Sequence, residues 1–178
     1  ELMESQGFYS LGTFLNRIQE EGGKSHKVLL GDNRIIEIKR LVEHLHKEHP
    51  KIHHLIEVLD ERFNSHTISK NTHRLNEGDS GKHSRVLIFT QYRDTAQHIV
   101  ELLLKNKIRA SKFVGQSKRQ GDPGMKQEEQ NTILEKFREG EFNVLVATSI
   151  AEEGLDIPEV DLVIFYEPIP SEIRHIQR

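Results

Sequence analysis

Three runs of four residues, Val86–Phe89, Val144–Ala147 and Leu162–Phe165, contain no polar side chain. Uninterrupted apolar runs this short are of the kind found in parallel strands covered on both faces. Between and around them the period changes. Asp94 to Lys105 places Ala96, Ile99, Val100, Leu103 and Leu104 on one helical face, and Lys126 to Arg138 does the same with Ile133, Leu134 and Phe137 before Gly140. Ala110 to Val114 reads as a further strand, and Ser171, after Pro170, can cap a final helix. Strands alternating with helices imply an α/β fold, a parallel sheet with helices on both faces. The right-handed crossover rule gathers the loops that follow the strands on one edge, where such sheets bind ligands.

The first part of the chain follows a different pattern. Phe8, Leu11, Phe14, Leu15 and Ile18 recur at spacings of three and four, a helix closed by Gly22 and Gly23. Asp32 is placed to cap a second helix carrying Ile35, Ile38, Leu41, Val42 and Leu45. Pro50 ends that pattern, and a third helix turns Ile52, Leu55, Ile56, Leu59 and Phe63 inward. Asn64 to Ser84 shows no apolar periodicity and reads as a mobile loop.

The chain has 178 residues and no cysteine, which excludes disulfides, thiolate zinc sites and a cysteine nucleophile. No apolar run approaches the ~20 residues of a membrane span and no signal peptide is present, so an intracellular, soluble protein without a membrane partner is expected. It begins at Glu1 and stops on Arg178, which reads as a piece of something longer. The net charge of −3 is unevenly spread: residues 64–126 carry 12 basic and 5 acidic side chains, residues 127–178 carry 4 and 12. A basic middle beside an acidic end fits one anion-facing surface. In the loop from Gly115 to Met125, Lys118 and Arg119 fit either phosphate contact or a solvated surface. His44, His46, His49, His53 and His54 crowd around Pro50, but Pro50 separates His49 from the preceding helix; no metal site is expected.

The most informative segment runs from Val144 to Pro158. A buried strand leads directly into Thr148 and Ser149, whose hydroxyls and backbone N–H groups suit a phosphate oxygen at a helix start. Ser149 and Glu152 also have capping-box spacing. Gly154 permits close backbone approach, and Asp156 can accept from a sugar hydroxyl or cap a turn; spacing leaves both open.

Here a resemblance becomes specific. Val86-Leu-Ile-Phe-Thr-Gln-Tyr-Arg-Asp-Thr-Ala resembles motif IV of superfamily 2 helicases, Ala147-Thr-Ser-Ile-Ala-Glu-Glu-Gly-Leu-Asp-Ile resembles motif V, and His175-Ile-Gln-Arg178 resembles the opening of motif VI. Three motifs in the family's order identify the stretch as similar to a second RecA-like helicase domain. Phe113-Val-Gly-Gln-Ser, Gln127-Glu-Glu-Gln130, Glu153 to Val163 and Tyr166-Glu-Pro-Ile-Pro-Ser look like archaeal Hef and the Fanconi anaemia M-type translocases. The resemblance implies that residues 1–47 are the tail of a helical insertion domain and residues 48–178 the RecA-like domain, truncated within motif VI.

By resemblance, the parent is an ATP-dependent helicase or translocase acting on forked or branched DNA. Thr148 would hold a phosphate of the tracking strand. Gln91, Arg93, Gln127 and Gln130, with Lys118 and Arg119, would lie along the nucleic-acid path. Gly154 and Asp156 would face the ATP, and Arg178 would begin the cationic motif that senses the γ-phosphate. Gln130 stands where many relatives have arginine. No phosphate-binding Gly-x-x-x-x-Gly-Lys-Ser/Thr loop and no Asp-Glu box are present, so the Mg²⁺ ligands are expected in a first RecA-like domain, and the 178 residues alone are expected to be inactive. A C-terminal nuclease domain is a further partner the resemblance allows. The rival readings are an RNA helicase of the same superfamily, a non-catalytic nucleic-acid-binding RecA-like module, and an unrelated flavodoxin-like domain binding a small anion.

Overall fold

A computed structural model describes residues 2–45, 47–72, 84–117, 124–148 and 157–168. The described chain forms two compact units, one from residues 1–50 and 116–124 and the other from residues 51–115 and 125–178.

The first unit is helical. Helix α1 (Leu2–Glu21) is broken at Gly7, whose φ of 83° and ψ of −175° lie outside the range of L-residues with side chains. A methyl group on Gly7 would sit 3.0 Å from the Cβ of His49, whose ring nitrogen is 2.9 Å from the carbonyl of Glu4. Helix α2 (Lys24–Leu30) was not legible in the sequence; at 7 residues, it is too short for periodicity to declare itself. Helix α3 (Asn33–His44) begins where expected. The Asp32 carboxylate accepts from the Arg34 N–H at 2.9 Å and pairs with its guanidinium at 2.7 Å. That hydrogen-bonded pairing with Arg34 holds the Asp32 carboxyl below the usual aspartate range and raises the Arg34 guanidinium.

The second unit is the α/β sheet. Its strands are β1 (Val86–Thr90), β2 (Ala110–Phe113), β3 (Val144–Thr148) and β4 (Leu162–Phe165), all parallel, in the order β2-β3-β1-β4. The apolar runs therefore occupy the two central strands and one edge, and β1 and β3 are buried along their whole length. Strand alternation divides their side chains between two cores. Val86 and Ile88 with Val144 and Val146 pack against helix α4 (Pro50–Thr72) and helix α5 (Arg93–Lys105), through Ile52, Leu55, Leu59, Ile99 and Leu103. Leu87 and Phe89 with Leu145 and Ala147 face the opposite side, where helix α6 (Gln127–Glu139) supplies Leu134 and Phe137. The expected helix coverage of both faces is thus present.

Helix α6 ends on Gly140 in the left-handed conformation, φ 79°. At its start the Glu129 carboxylate accepts from the Lys126 N–H at 2.7 Å, satisfying a backbone donor that no helical carbonyl can reach. One expectation is corrected. Residues 64–72, read as part of a mobile loop, continue helix α4. Periodicity is the wrong signal there: a helix already nucleated on a docked face propagates cheaply, and neither glycine nor proline occurs between Lys51 and Glu77. Residues 73–83 of that expected loop, and the helix expected after Ser171, lie outside the described residues, and Ser84 at the loop's end is buried, its Oγ accepting from Arg62 Nε at 3.0 Å. No helix among the described residues is long and apolar enough to cross a membrane.

Candidate functional site

All four strands point the same way, so their C-terminal ends share one edge, and polar residues collect there. Thr90 and Thr148 end β1 and β3 and are register partners. Both are buried, 3% and 4% exposed, on the face that carries Ile88 and Val146. Their hydroxyls meet different fates. Thr90 Oγ1 donates to Glu167 Oε1 at 2.7 Å, and the other carboxylate oxygen accepts the Gln91 N–H at 3.1 Å. Thr148 Oγ1 is buried and has no hydrogen-bond partner among the described residues. Leaving such a hydroxyl unsatisfied costs on the order of 1–3 kcal/mol, so it marks a place where a ligand oxygen would be welcome.

Glu167 reaches this corner because β4 runs beside β1. The Tyr166 N–H donates to the Phe89 carbonyl at 2.8 Å, prolonging the pairing by one residue and swinging the next side chain over the end of β1. Lys51, at the start of α4, seals the outside of the corner. Its Nζ is 3.3 Å from the Tyr166 carbonyl and 4.9 Å from the centre of the Tyr166 ring, a hydrogen bond and a cation–π contact on one residue. Sequence reasoning did not single out Glu167 or Thr90. The available signal was an acidic residue two positions past an apolar strand, at the edge where strand ends converge.

A second cluster lies at the end of β2. Arg93, 5% exposed, donates from Nη2 to the Gly115 carbonyl at 2.8 Å. Gln130, 2% exposed, donates from Nε2 to the Val114 carbonyl at 2.9 Å. The Met125 N–H donates to the same Gly115 carbonyl at 3.1 Å, so both stems of the segment between Gly115 and Met125 are tied together. These two side chains were expected along a nucleic-acid path. The structure places both on a buried helix face, because α5 and α6 bury one face each and Arg93 and Gln130 fall on it, within reach of the Gly115 and Val114 carbonyls past the end of strand β2.

Of the other expected site residues, Gln91 is exposed on the turn after β1 and Gln127 is exposed in the first turn of α6. The structure joins Gln91, through its backbone, to the Thr90–Glu167 corner. Lys118, Arg119, Ser149, Gly154, Asp156 and Arg178 lie outside the described residues. Among the described residues, no group of three or more histidines and carboxylates could hold a metal ion. His44 and His54 instead contact the Arg40 carbonyl and the Glu57 carboxylate, at 2.7 and 3.1 Å; His46 is outside the described set.

Comparison with known proteins places this geometry. The chain is 41% identical to the crystal structure of the Pyrococcus furiosus Hef helicase domain and superposes on it with a TM-score of 0.64, over 99% of this chain and 34% of that one. It is 39% identical, over 96% of its length, to a Neurospora crassa protein named ATP-dependent DNA helicase mph1. It is 40% identical over its whole length to a Methanocaldococcus jannaschii protein named provisionally as an ATP-dependent RNA helicase. The chain spans 21% of the Methanocaldococcus protein and 14% of the Neurospora one. The sheet with its helices is that of a RecA-like helicase domain. Residues 51–178, which take in every strand of the sheet, match the helicase conserved C-terminal domain, and the chain belongs to that family.

Proposed function

We propose that this chain is the C-terminal RecA-like part of an ATP-dependent superfamily 2 DNA helicase or translocase that works on forked or branched DNA. The observation that carries the reading is the buried, unpartnered hydroxyl of Thr148, at the end of a central strand and at the start of the segment that resembles motif V. A phosphate oxygen of a tracking strand would satisfy that donor. Gln91 and Gln127, exposed on the elements that follow β1 and precede the body of α6, would add polar contacts. Arg93 and Gln130 would act through the backbone they hold, fixing the stems of the segment that carries Lys118 and Arg119, the expected cationic contacts.

Residues 1–47 are proposed as the tail of a helical insertion and residues 48–178 as the second RecA-like domain. ATP supplies the free energy of the cycle through phosphoryl transfer to water, with Mg²⁺ neutralising charge on its phosphates. The Mg²⁺ ligands are assigned to the first RecA-like domain, because the phosphate-binding loop and the Asp-Glu box that would supply them do not occur in this sequence. Gly154, Asp156 and Arg178 are this chain's contribution to the nucleotide side. The polynucleotide itself has a second reading, RNA, favoured by the name of the Methanocaldococcus relative; DNA is preferred from the mph1 and Hef-like features.

The test uses the full-length protein that carries this chain. Forked DNA and duplex RNA of the same sequence are offered with ATP, for the wild type and for Thr148→Val. The proposal expects unwinding or branch movement on DNA, and a DNA affinity at least tenfold weaker in the variant, the loss of one well-formed hydrogen bond to a charged oxygen being worth about 1.5–3 kcal/mol. Activity confined to RNA would replace the DNA reading, and unaltered DNA affinity in the variant would remove Thr148 from the interface.

A further inference from the structure

Two threonines end neighbouring central strands in register, yet among the described residues the Thr90 hydroxyl has a partner and the Thr148 hydroxyl has none. We infer that Glu167 makes that choice: by engaging Thr90 it keeps the Thr148 hydroxyl available, and so acts as a positioning residue for the anion contact. The inference rests on the proposed function, which gives the available hydroxyl its ligand.

The geometry runs as follows. Parallel strands lie about 4.8 Å apart, and residues paired in register at even spacing project from the same face. Thr90 and Thr148 therefore stand side by side, one strand spacing apart, on the face of Ile88 and Val146. Two hydroxyls so placed, in a site that is 3–4% exposed, satisfy each other unless something intervenes. Glu167 intervenes. Its carboxylate takes the Thr90 hydroxyl at 2.7 Å and the Gln91 N–H at 3.1 Å, which holds the Thr90 hydroxyl on Glu167. The carboxylate is held over the end of β1 by the Tyr166 N–H bond to Phe89 and by Lys51 behind Tyr166.

This makes a sharp distinction between losing Glu167 and losing both partners of its bond. In Glu167→Ala the released Thr90 side chain turns so that its Oγ1 accepts the Thr148 O–H, which spends the donor a phosphate oxygen would need. In Glu167→Ala with Thr90→Val there is no hydroxyl to release, and Thr148 is available again. Glu167→Gln has one acceptor oxygen in place of two, so it cannot serve both the Thr90 hydroxyl and the Gln91 N–H and falls between wild type and Glu167→Ala.

The experiment measures DNA-stimulated ATP hydrolysis by the full-length protein, with the binding-competent fraction titrated so that misfolded material does not enter the constants. Glu167→Ala is expected to raise the KM for DNA about tenfold, as for loss of one phosphate contact, with the KM for ATP and kcat held. Thr90→Val alone should stay within about twofold of wild type, the scatter of a neutral exchange. The double variant Glu167→Ala, Thr90→Val should recover most of the loss, which no general destabilisation would do. A double variant no better than Glu167→Ala overturns the inference, as does Glu167→Ala with wild-type KM for DNA while Thr148→Val is impaired. If Thr148→Val itself binds DNA as wild type does, it is the proposed phosphate contact that fails, and the inference falls with it.

Discussion

Gln130 separates two roles that predict opposite behaviour. The sequence places it on a nucleic-acid path; the structure buries it and spends its amide on the Val114 carbonyl at 2.9 Å. Gln130→Met keeps the side-chain volume and deletes the donor. The interior role then loses a buried neutral hydrogen bond and leaves one carbonyl without that donor. Taking the net value of the bond with part of the cost of the orphaned acceptor gives about 2 kcal/mol. For a unit of this size, each kcal/mol lowers the melting temperature by on the order of 4 °C, so the midpoint should fall by about 8 °C. Gln130→Ala also removes buried methylenes and should cost about 1.5 kcal/mol more. The assay is thermal unfolding of the purified chain by circular dichroism, in parallel with DNA binding at fixed ionic strength. A Gln130→Met protein that melts with wild type but binds DNA less tightly would refute the interior role. It would restore the direct contact in its place.

Other expected outcomes are simpler to state. Leu59→Ala, at a residue with no exposed surface between α4 and the sheet, should destabilise the chain by about 2–5 kcal/mol in urea unfolding, with the slope of the transition unchanged. Gly140→Ala forces a side chain into a φ of 79° and should cost about 1–2 kcal/mol in the same assay. The Asp32 cap carries a pH dependence of known sign. Its carboxyl lies below the ordinary value when folded, so its contribution is complete above the unfolded pKa of about 3.9 and is lost as pH falls through the lower, folded value. Asp32→Asn should flatten helical content against pH in that acid window, and a wild-type profile in the variant would assign the acid transition to other carboxylates. The 178-residue chain alone should show no DNA-stimulated ATP hydrolysis; measurable turnover would place a complete phosphate site within it.

What the amino-acid order determined by itself is the set of features that depend on short stretches of chain. Apolar runs without alternation specified strands, two of them buried along their whole length and the edge strand β4 half-buried, and their spacing by amphipathic helices specified a parallel sheet covered on each side. Asp32 and Gly140 declared helix ends because the chemistry of a cap is local. The order of the motif-like segments disclosed the helicase family for the same reason, since each is a contiguous string. The ends of α4 and the existence of α2 were less legible, one because propagation needs no apolar period and the other because few residues carry too little of one.

The tertiary structure alone decided the fate of the polar side chains. Periodicity says which face of α5 or α6 is covered, but not which carbonyls wait beneath it. Arg93 and Gln130 are 22 and 16 positions from their acceptors, and only the crossover geometry brings Gly115 and Val114 under them. Glu167 lies 77 positions from Thr90, and it meets that hydroxyl because β4 pairs with β1 rather than with β3. Strand order, a property of the whole sheet, thereby determines which of two equivalent threonines is left with an unsatisfied donor.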